Sequence, residues 1–321
     1  MKKIAVITTG GTIASTTDPE TGRSIAGKLT GEKLLGAYKD LSSDQVELEV
    51  FSAFQIPSNA MDFDKLLLLK SVVESFLLRT DISGVVITHG TDTLEETSYF
   101  LSLAITSHKP VVTTGSQRIP SEIGSDSFAN IRDAITLAAA DQPDYSDTLL
   151  VFNEKIFSPR SVRKVHTSNV DGFAGGQIGT IDRGEVFIQC TATAAKACFD
   201  ALPAMAEVQL IKAASGMSDL FIRAATTSNA QGLVIEGFGR GHVPPSWLPA
   251  IKEAVDSGMK VVITSACDEG RVFPAYEYPG SFADLTANGV IGGQDLDAKK
   301  ARILLACLIG AGQAVDSQSF L

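Results

Sequence analysis

Basic residues are in the minority in this 321-residue chain: 27 Lys and Arg stand against 37 Asp and Glu, a formal net charge of −10 at pH 7. Nucleic acid or an anionic membrane as partner would call for a basic patch. The densest basic stretch, 160–164, carries Arg160, Arg163 and Lys164, too few for such a footprint. Cysteine is scarce and scattered. Cys190, Cys198, Cys267 and Cys307 form no Cys-x-x-Cys pair and have no histidine cluster beside them. The short ligand spacings of a zinc site are therefore missing, and the four read as buried free thiols in a protein without a metal. No apolar run approaches the length of a membrane span. The opening MKKIAVITTGG starts like a signal peptide, but its apolar run 4–7 is too short for an h-region and leads into a glycine turn. It reads as a first strand, and the protein as soluble and cytoplasmic. Three chemical signatures are absent as well: a full G-x-G-x-x-G, the G-x-x-x-x-G-K-[ST] phosphate loop, and the G-x-S-x-G nucleophile elbow. No repeat at solenoid periods is present.

What remains is a chain with 44% apolar residues, enough for substantial cores, and a length suited to two domains. Short apolar runs alternate with longer amphipathic segments. Strands are expected at 4–8, 46–51, 84–88, 110–114 and 148–152, with helices near 31–38, 62–79, 93–106 and 127–139. Their continuous rather than alternating hydrophobicity predicts burial on both faces, hence a mostly parallel sheet in an α/β fold. From 162 to 189 glycine becomes frequent and hairpins or irregular strands are expected. Small residues dominate 191–206. The rhythm then resumes with strands at 208–212, 232–236 and 260–264 and helices near 217–228, 246–257 and 296–311. The expected division is a domain at 1–195, a linker at 196–207 and a second domain at 208–321.

Three polar clusters sit just past strands, where open α/β sheets bind ligands. Thr8-Thr9-Gly10-Gly11-Thr12 follows the first strand, and its paired glycines allow a sharp turn and close backbone approach. Thr88-His89-Gly90-Thr91-Asp92-Thr93 follows the strand at 84–88. Asp92 and Thr93 suit the N-terminus of the next helix. Thr113-Thr114-Gly115-Ser116-Gln117 is the third, a plain turn or a support for the site. A threonine nucleophile needs a base. A Ser-His-Asp triad is not evident among four histidines, and His89 reads equally well as structural. A lysine from 160–164 is an alternative base if desolvated or crowded by cations, but spacing does not choose among its members.

Thr9-Gly10-Gly11-Thr12-Ile13-Ala14 and Thr88-His89-Gly90-Thr91-Asp92-Thr93 together resemble the two signature motifs of the bacterial-type L-asparaginases. Thr114-Gly115-Ser116-Gln117, Ser125-Asp126 with Asn130, and Ala301-Arg302-Ile303-Leu304-Leu305 extend the similarity over nearly the whole chain. The resemblance implies a larger N-terminal domain with flanking helices and flavodoxin-like strand order, and a smaller C-terminal α/β domain. It implies a homotetramer built as a dimer of intimate dimers. The implied reaction is hydrolysis of asparagine to aspartate and ammonia, with a possible side activity on glutamine and no cofactor. Thr12 would attack the amide carbon and form an acyl-enzyme, with Thr91, Asp92 and Lys164 as the supporting set. Asp92 would also hold the substrate α-ammonium, and Ser58 with Asn59 the α-carboxylate. A small zwitterion calls for such opposed groups, and backbone N–H groups around Thr91 would serve as oxyanion donors.

Three positions depart from the family pattern. No tyrosine lies between Ser15 and Tyr38, where the family carries a loop phenol; Ser24 stands near the matching place. Asn59 replaces a longer Gln or Glu. His242, in Gly239-Arg240-Gly241-His242, stands where asparagine is expected. Glu277 aligns with an acidic residue given by the neighbouring subunit, and its neighbours Tyr276 and Tyr278 are a candidate source of the missing phenol. Two other readings compete. An asparaginase-like subunit of a tRNA-dependent amidotransferase would call for an extra N-terminal domain and a basic surface. A non-catalytic amino-acid-binding homologue would explain the missing tyrosine, but has no use for Lys164.

Overall fold

The computed structural model of the chain describes residues 1–17, 21, 24–25, 46–140, 148–190, 199 and 201–321. The expected helix at 31–38, Cys198 and the Ser24 side chain lie outside the described residues. The chain forms two compact units, Met1–Thr193 and Ala194–Leu321.

In the first unit the strands are β1 (Lys2–Gly10), β2 (Thr16–Thr17), β3 (Ser24–Ile25), β4 (Val46–Ile56), β5 (Gly84–Thr88), β6 (Val111–Thr114), β7 (Thr148–Phe152), β8 (Lys155–Phe157), β9 (Arg163–Lys164), β10 (Phe173–Ala174), β11 (Gln177–Asp182) and β12 (Glu185–Ile188). Eight of them form one sheet, ordered β12-β11-β8-β7-β6-β5-β1-β4. Its parallel part, β4-β1-β5-β6-β7, has the order 2-1-3-4-5 when those strands are counted along the chain. This is the flavodoxin-like doubly wound order, and its switch point lies between β1 and β5. β1 runs to β4 on one side and is flanked by β5 on the other, so the loops leaving β1 and β5 diverge and open a crevice between them.

The β-branched runs of β5, β6 and β7 are buried along their whole length, as a sheet covered on both faces requires. Leu149 and Val151 pack with Ile131, Ala134 and Ile135 of helix Ser127–Ala139. Leu150 and Phe152 face the other way, toward Leu94 at the start of helix Leu94–Ala104. β4 departs from the expected two-sided burial. Its sequence VELEVFSAFQI carries charges at alternate places and is at most half-buried, because it is the edge of the sheet and one neighbour alone shields it. It also runs five residues beyond the expected end. β8 was not expected at all. Asn153 and Glu154, both left-handed at φ 51° and 62°, turn the chain in two residues and return it antiparallel to β7. The expected hairpin region holds the antiparallel pairs β9–β10 and β11–β12.

The second unit has four parallel strands, β13 (Val208–Lys212), β14 (Gly232–Gly237), β15 (Lys260–Ser265) and β16 (Ile291–Gly292), in that order. Helices Leu220–Thr227, Leu248–Asp256, Phe282–Ala287 and Ala298–Gly310 accompany them. Trp247 is fully buried in this core, with its indole N–H donating to the Met217 carbonyl at 3.0 Å. The C-terminal Ala301–Leu305 motif is structural: Arg302 Nε donates to the Val208 carbonyl of edge strand β13 at 2.7 Å, while Ala301, Ile303, Leu304 and Leu305 are buried. Among the described cysteines the expectation of buried thiols holds for Cys307 alone. Cys190 and Cys267 are exposed, Cys267 because it lies in the loop leaving β15. Among the described residues no group of His, Cys, Asp and Glu could hold a metal, and no helix is long and apolar enough to cross a membrane.

Candidate active site

Four loops meet beyond the C-terminal ends of the parallel strands at the switch point. Thr8 pairs with Thr88 at the ends of β1 and β5, so the two threonine-glycine motifs leave the sheet side by side. Their backbones touch. A Cβ built on Gly11, whose φ is 79°, would lie 2.4 Å from both Cα and N of Gly90. One on Gly90 would lie 2.7 Å from Ser58 Oγ. Glycine at these two places is therefore required by close approach, which brings the loops after β1, β4 and β5 into contact.

The first turn holds three hydroxyls with different fates. Thr9 is buried and donates to the Thr88 carbonyl at 3.0 Å; Ser15 is buried and donates to the Gly11 carbonyl at 2.7 Å. Thr12, at the head of the short 3-10 helix Thr12–Ala14, is only half-buried. It is the accessible hydroxyl of the turn.

In the second motif Lys164 Nζ donates to Thr91 Oγ1 at 2.8 Å and to Asp92 Oδ1 at 2.7 Å. The Lys164 side chain is 15% exposed and that of Asp92 68%, so the ion pair has a dry end at Thr91 and a wet end at Asp92. Thr91 also directs its hydroxyl toward Gln117 Oε1, at a long 3.4 Å. Gln117 Nε2 is buried with no partner among the described residues. The Thr91–Asp92–Lys164 set of the sequence reading is thus brought together in space. Two of its neighbours were not singled out as site residues. Gln117 closes one side of Thr91, and Glu95 accepts the backbone N–H of Lys164. No sequence signal singled out Glu95, because its bond to Lys164 spans 69 residues.

The remaining polar groups of that motif are structural. Thr93 takes the N-cap position of helix Leu94–Ala104 but makes no cap bond; its hydroxyl donates instead to the Ser58 carbonyl at 2.8 Å. His89 is fully buried. Its Nδ1 lies 2.7 Å from the Gly90 carbonyl oxygen, which can only accept, so Nδ1 carries the proton and Nε2 accepts from Thr97 at 3.1 Å. Burial holds its pKa down at about 4. A neutral imidazole with both nitrogens engaged is not available as a base.

The third cluster supports Gln117 from behind. Asp126 accepts the backbone N–H groups of Gln117 at 2.9 Å and Arg118 at 3.0 Å. Asn130 donates to the Gly115 carbonyl at 2.9 Å and to Asp126 at 3.1 Å. Ser58 is buried beside Gly90, whereas Asn59 is exposed.

The second unit carries the other candidates. Glu277 is exposed, between Tyr276 and Tyr278. Both tyrosine rings gather around His242, with centroids 5.7 Å and 5.4 Å from it. His242 Nδ1 accepts the Phe282 backbone N–H at 3.2 Å, and burial followed by the nearby Arg240 charge lowers its pKa.

A family model described as Asparaginase, N-terminal matches residues 3–194, and one described as Glutaminase/Asparaginase C-terminal domain matches residues 207–319. An L-asparaginase from Bacillus licheniformis is 43% identical over 315 residues, covering 97% of this chain and 96% of that protein. A probable L-asparaginase from Deinococcus radiodurans is 36% identical over 317 residues, covering 97% and 94%. The crystal structure of a probable cytoplasmic L-asparaginase from Campylobacter jejuni matches with a TM-score of 0.87 and 31% identity, over 100% of this chain and 99% of that one.

Proposed function

The chain belongs to the asparaginase family, and from that membership we propose that it hydrolyses the side-chain amide of L-asparagine to L-aspartate and ammonia. The observation that carries the reading is the placement of Lys164 Nζ between Thr91 Oγ1 and Asp92 Oδ1, beside a turn whose accessible hydroxyl is Thr12. Thr12 Oγ1 attacks the amide carbon, releasing the hydroxyl proton that the leaving nitrogen requires. As the tetrahedral intermediate collapses, the C–N bond breaks and the leaving nitrogen takes up a proton and departs as ammonia. Water then cleaves the aspartyl ester and restores the Thr12 hydroxyl. Thr91 and Lys164 relay the protons: as an amine, Nζ accepts the Thr91 proton, and as an ammonium it returns one. The N–H groups of the turn 90–92, at the positive end of helix Leu94–Ala104, are the oxyanion donors in this reading.

Asp92, exposed at its carboxylate, takes the substrate α-ammonium; Ser58 and Asn59 take the α-carboxylate. Glu277 completes the site from a neighbouring subunit of a homotetramer built as a dimer of intimate dimers. Residues 1–195 form the catalytic domain, 196–207 the linker and 208–321 the second domain, a division supported by the extents of the two family matches. A side activity on glutamine is supported by the name of the second match. A cytoplasmic location is supported by the name of the Campylobacter neighbour.

The test is ammonia release from asparagine. Thr12→Ala is expected to lower kcat by about 10⁴-fold or more with unchanged thermal unfolding; parent-like turnover would remove Thr12 as nucleophile. Lys164→Met should do comparable damage, and a loss under about threefold would mean that another group moves the proton. A parent protein that binds asparagine without releasing ammonia would turn the reading into that of a binding protein.

A further inference from the structure

Behind Lys164 lies a buried carboxylate that the mechanism above does not use. Glu95 is the second residue of helix Leu94–Ala104 and is 1% exposed. Its Oε2 accepts the backbone N–H of Lys164, 69 residues further along the chain. A buried carboxylate is costly unless hydrogen-bonded, and an N–H donor to a charged oxygen makes one of the stronger such bonds.

Lys164 is therefore gripped at both ends by one short stretch of chain. Thr91 and Asp92 take its Nζ, and Glu95 takes its main chain. The grip matters because a lysine head sits on a flexible four-carbon stem, so its position depends on where the main chain starts. Val162 before the strand that carries Lys164 and Phe173 opposite it are buried in a core cluster, but the strand itself is short. β9 is two residues long and belongs to a two-stranded sheet with β10, paired at Phe173↔Lys164 and Ala174↔Arg163, apart from the main sheet. Such an isolated pair is marginal by itself. The backbone bond to Glu95 ties it to the helix that begins directly after the turn carrying Thr91 and Asp92.

We propose that Glu95 is a positioning residue for amide hydrolysis: it fixes the main chain of Lys164 at the place from which Nζ reaches both Thr91 and Asp92. This rests on the reading of Lys164 as the proton relay. Glu95 touches neither substrate nor reacting atoms in that reading, and acts through the lysine alone.

Three variants test it, with kcat and KM for asparagine, thermal unfolding, and amide hydrogen exchange at Lys164 measured on each. Glu95→Gln keeps an acceptor oxygen at the same reach and should hold kcat within about threefold, with Lys164 exchange as slow as in the parent. Glu95→Met fills the space without an acceptor. Its kcat should fall about 10- to 100-fold, as a displacement on the order of 1 Å does, with KM changed less than about threefold. Exchange at Lys164 should quicken. In a Lys164→Met background the same Glu95→Met change should cost nothing further in kcat, because the two act as a unit.

A Glu95→Met protein with parent kcat per folded molecule and only a lower unfolding temperature would overturn the proposal, and so would additive losses in the double variant. If Glu95→Met does not fold, Glu95→Asp takes its place. One methylene shorter, it should lose kcat and Lys164 protection together, and retention of both would overturn the proposal. A parent protein that releases no ammonia would overturn the reaction instead, and Lys164 exchange would then decide the role of Glu95 alone.

Discussion

His89 shows how one residue within a signature motif can belong to the scaffold. It sits between Thr88 and the reactive turn, yet both ring nitrogens are committed to Gly90 and Thr97. Its folded pKa of about 4 lies below the unfolded value of 6.5. Between those values the unfolded chain binds a proton that the folded chain does not, so stability rises with pH there. The contribution is fully present above pH 6.5, is lost as pH falls toward 4, and amounts to something on the order of 3 kcal/mol. Hydrogen-bonded to Arg79, Glu49 and Asp81 titrate near 2, so their own contribution is lost as pH falls from the ordinary carboxylate range toward 2, below the interval in which His89 acts. Chemical denaturation at a series of pH values should therefore show stability falling from pH 6.5 to 4.5, and His89→Asn should remove most of that slope. A parent curve flat over the interval would contradict the assignment. His242, lowered in the same direction, accounts for the residual slope in the variant.

Among elements, helix Ser127–Ala139 does more than cover the sheet. Its N-cap residue Asp126 makes no cap bond. It turns outward and receives the N–H groups of Gln117 and Arg118. Asn130, one turn later, links the Gly115 carbonyl to the N–H of Asn153 at the end of β7. The helix end thus holds the loop that places Gln117 against Thr91. Asp126→Ala leaves two backbone donors without their acceptor and should destabilise by about 2–4 kcal/mol in urea unfolding. It should also lower kcat for asparagine. Full activity in a destabilised Asp126→Ala protein would detach this loop from the chemistry. The same element explains why Ser125-Asp126 and Asn130 are part of the family resemblance although none of them faces the crevice.

At the scale of the whole molecule, the two units carry separate sheets, mostly parallel in the first and parallel in the second, and the candidates fall unevenly between them. Thr12, Ser58, Asn59, Thr91, Asp92 and Lys164 belong to the first unit, and Glu277 with its tyrosines to the second. In the proposed assembly Glu277 acts across a subunit boundary. Sedimentation at assay concentrations should then show an oligomer, with activity lost on dilution to monomer. A fully active monomer would exclude that role for Glu277.

Strand periodicity, two threonine-glycine motifs and their place at strand ends were legible in the chain itself, because each is a property of a few consecutive residues. Continuous apolar runs foretold the buried strands β5, β6 and β7, and the motif turns foretold where a crevice would open. Strand β8 and helix Phe282–Ala287 were not legible, since three residues show no alternation and six span less than two helical turns. Nor was the half-exposed face of β4, because a strand becomes an edge only through the order of its neighbours. The choice of Lys164 from a stretch with three cations, the accessible state of Thr12 against buried Thr9 and Ser15, and the grip of Glu95 on the lysine backbone depend on contacts spanning up to 79 residues. Local chemistry determined which residue types were available. Chain folding at the β1/β5 switch point decided which of them meet.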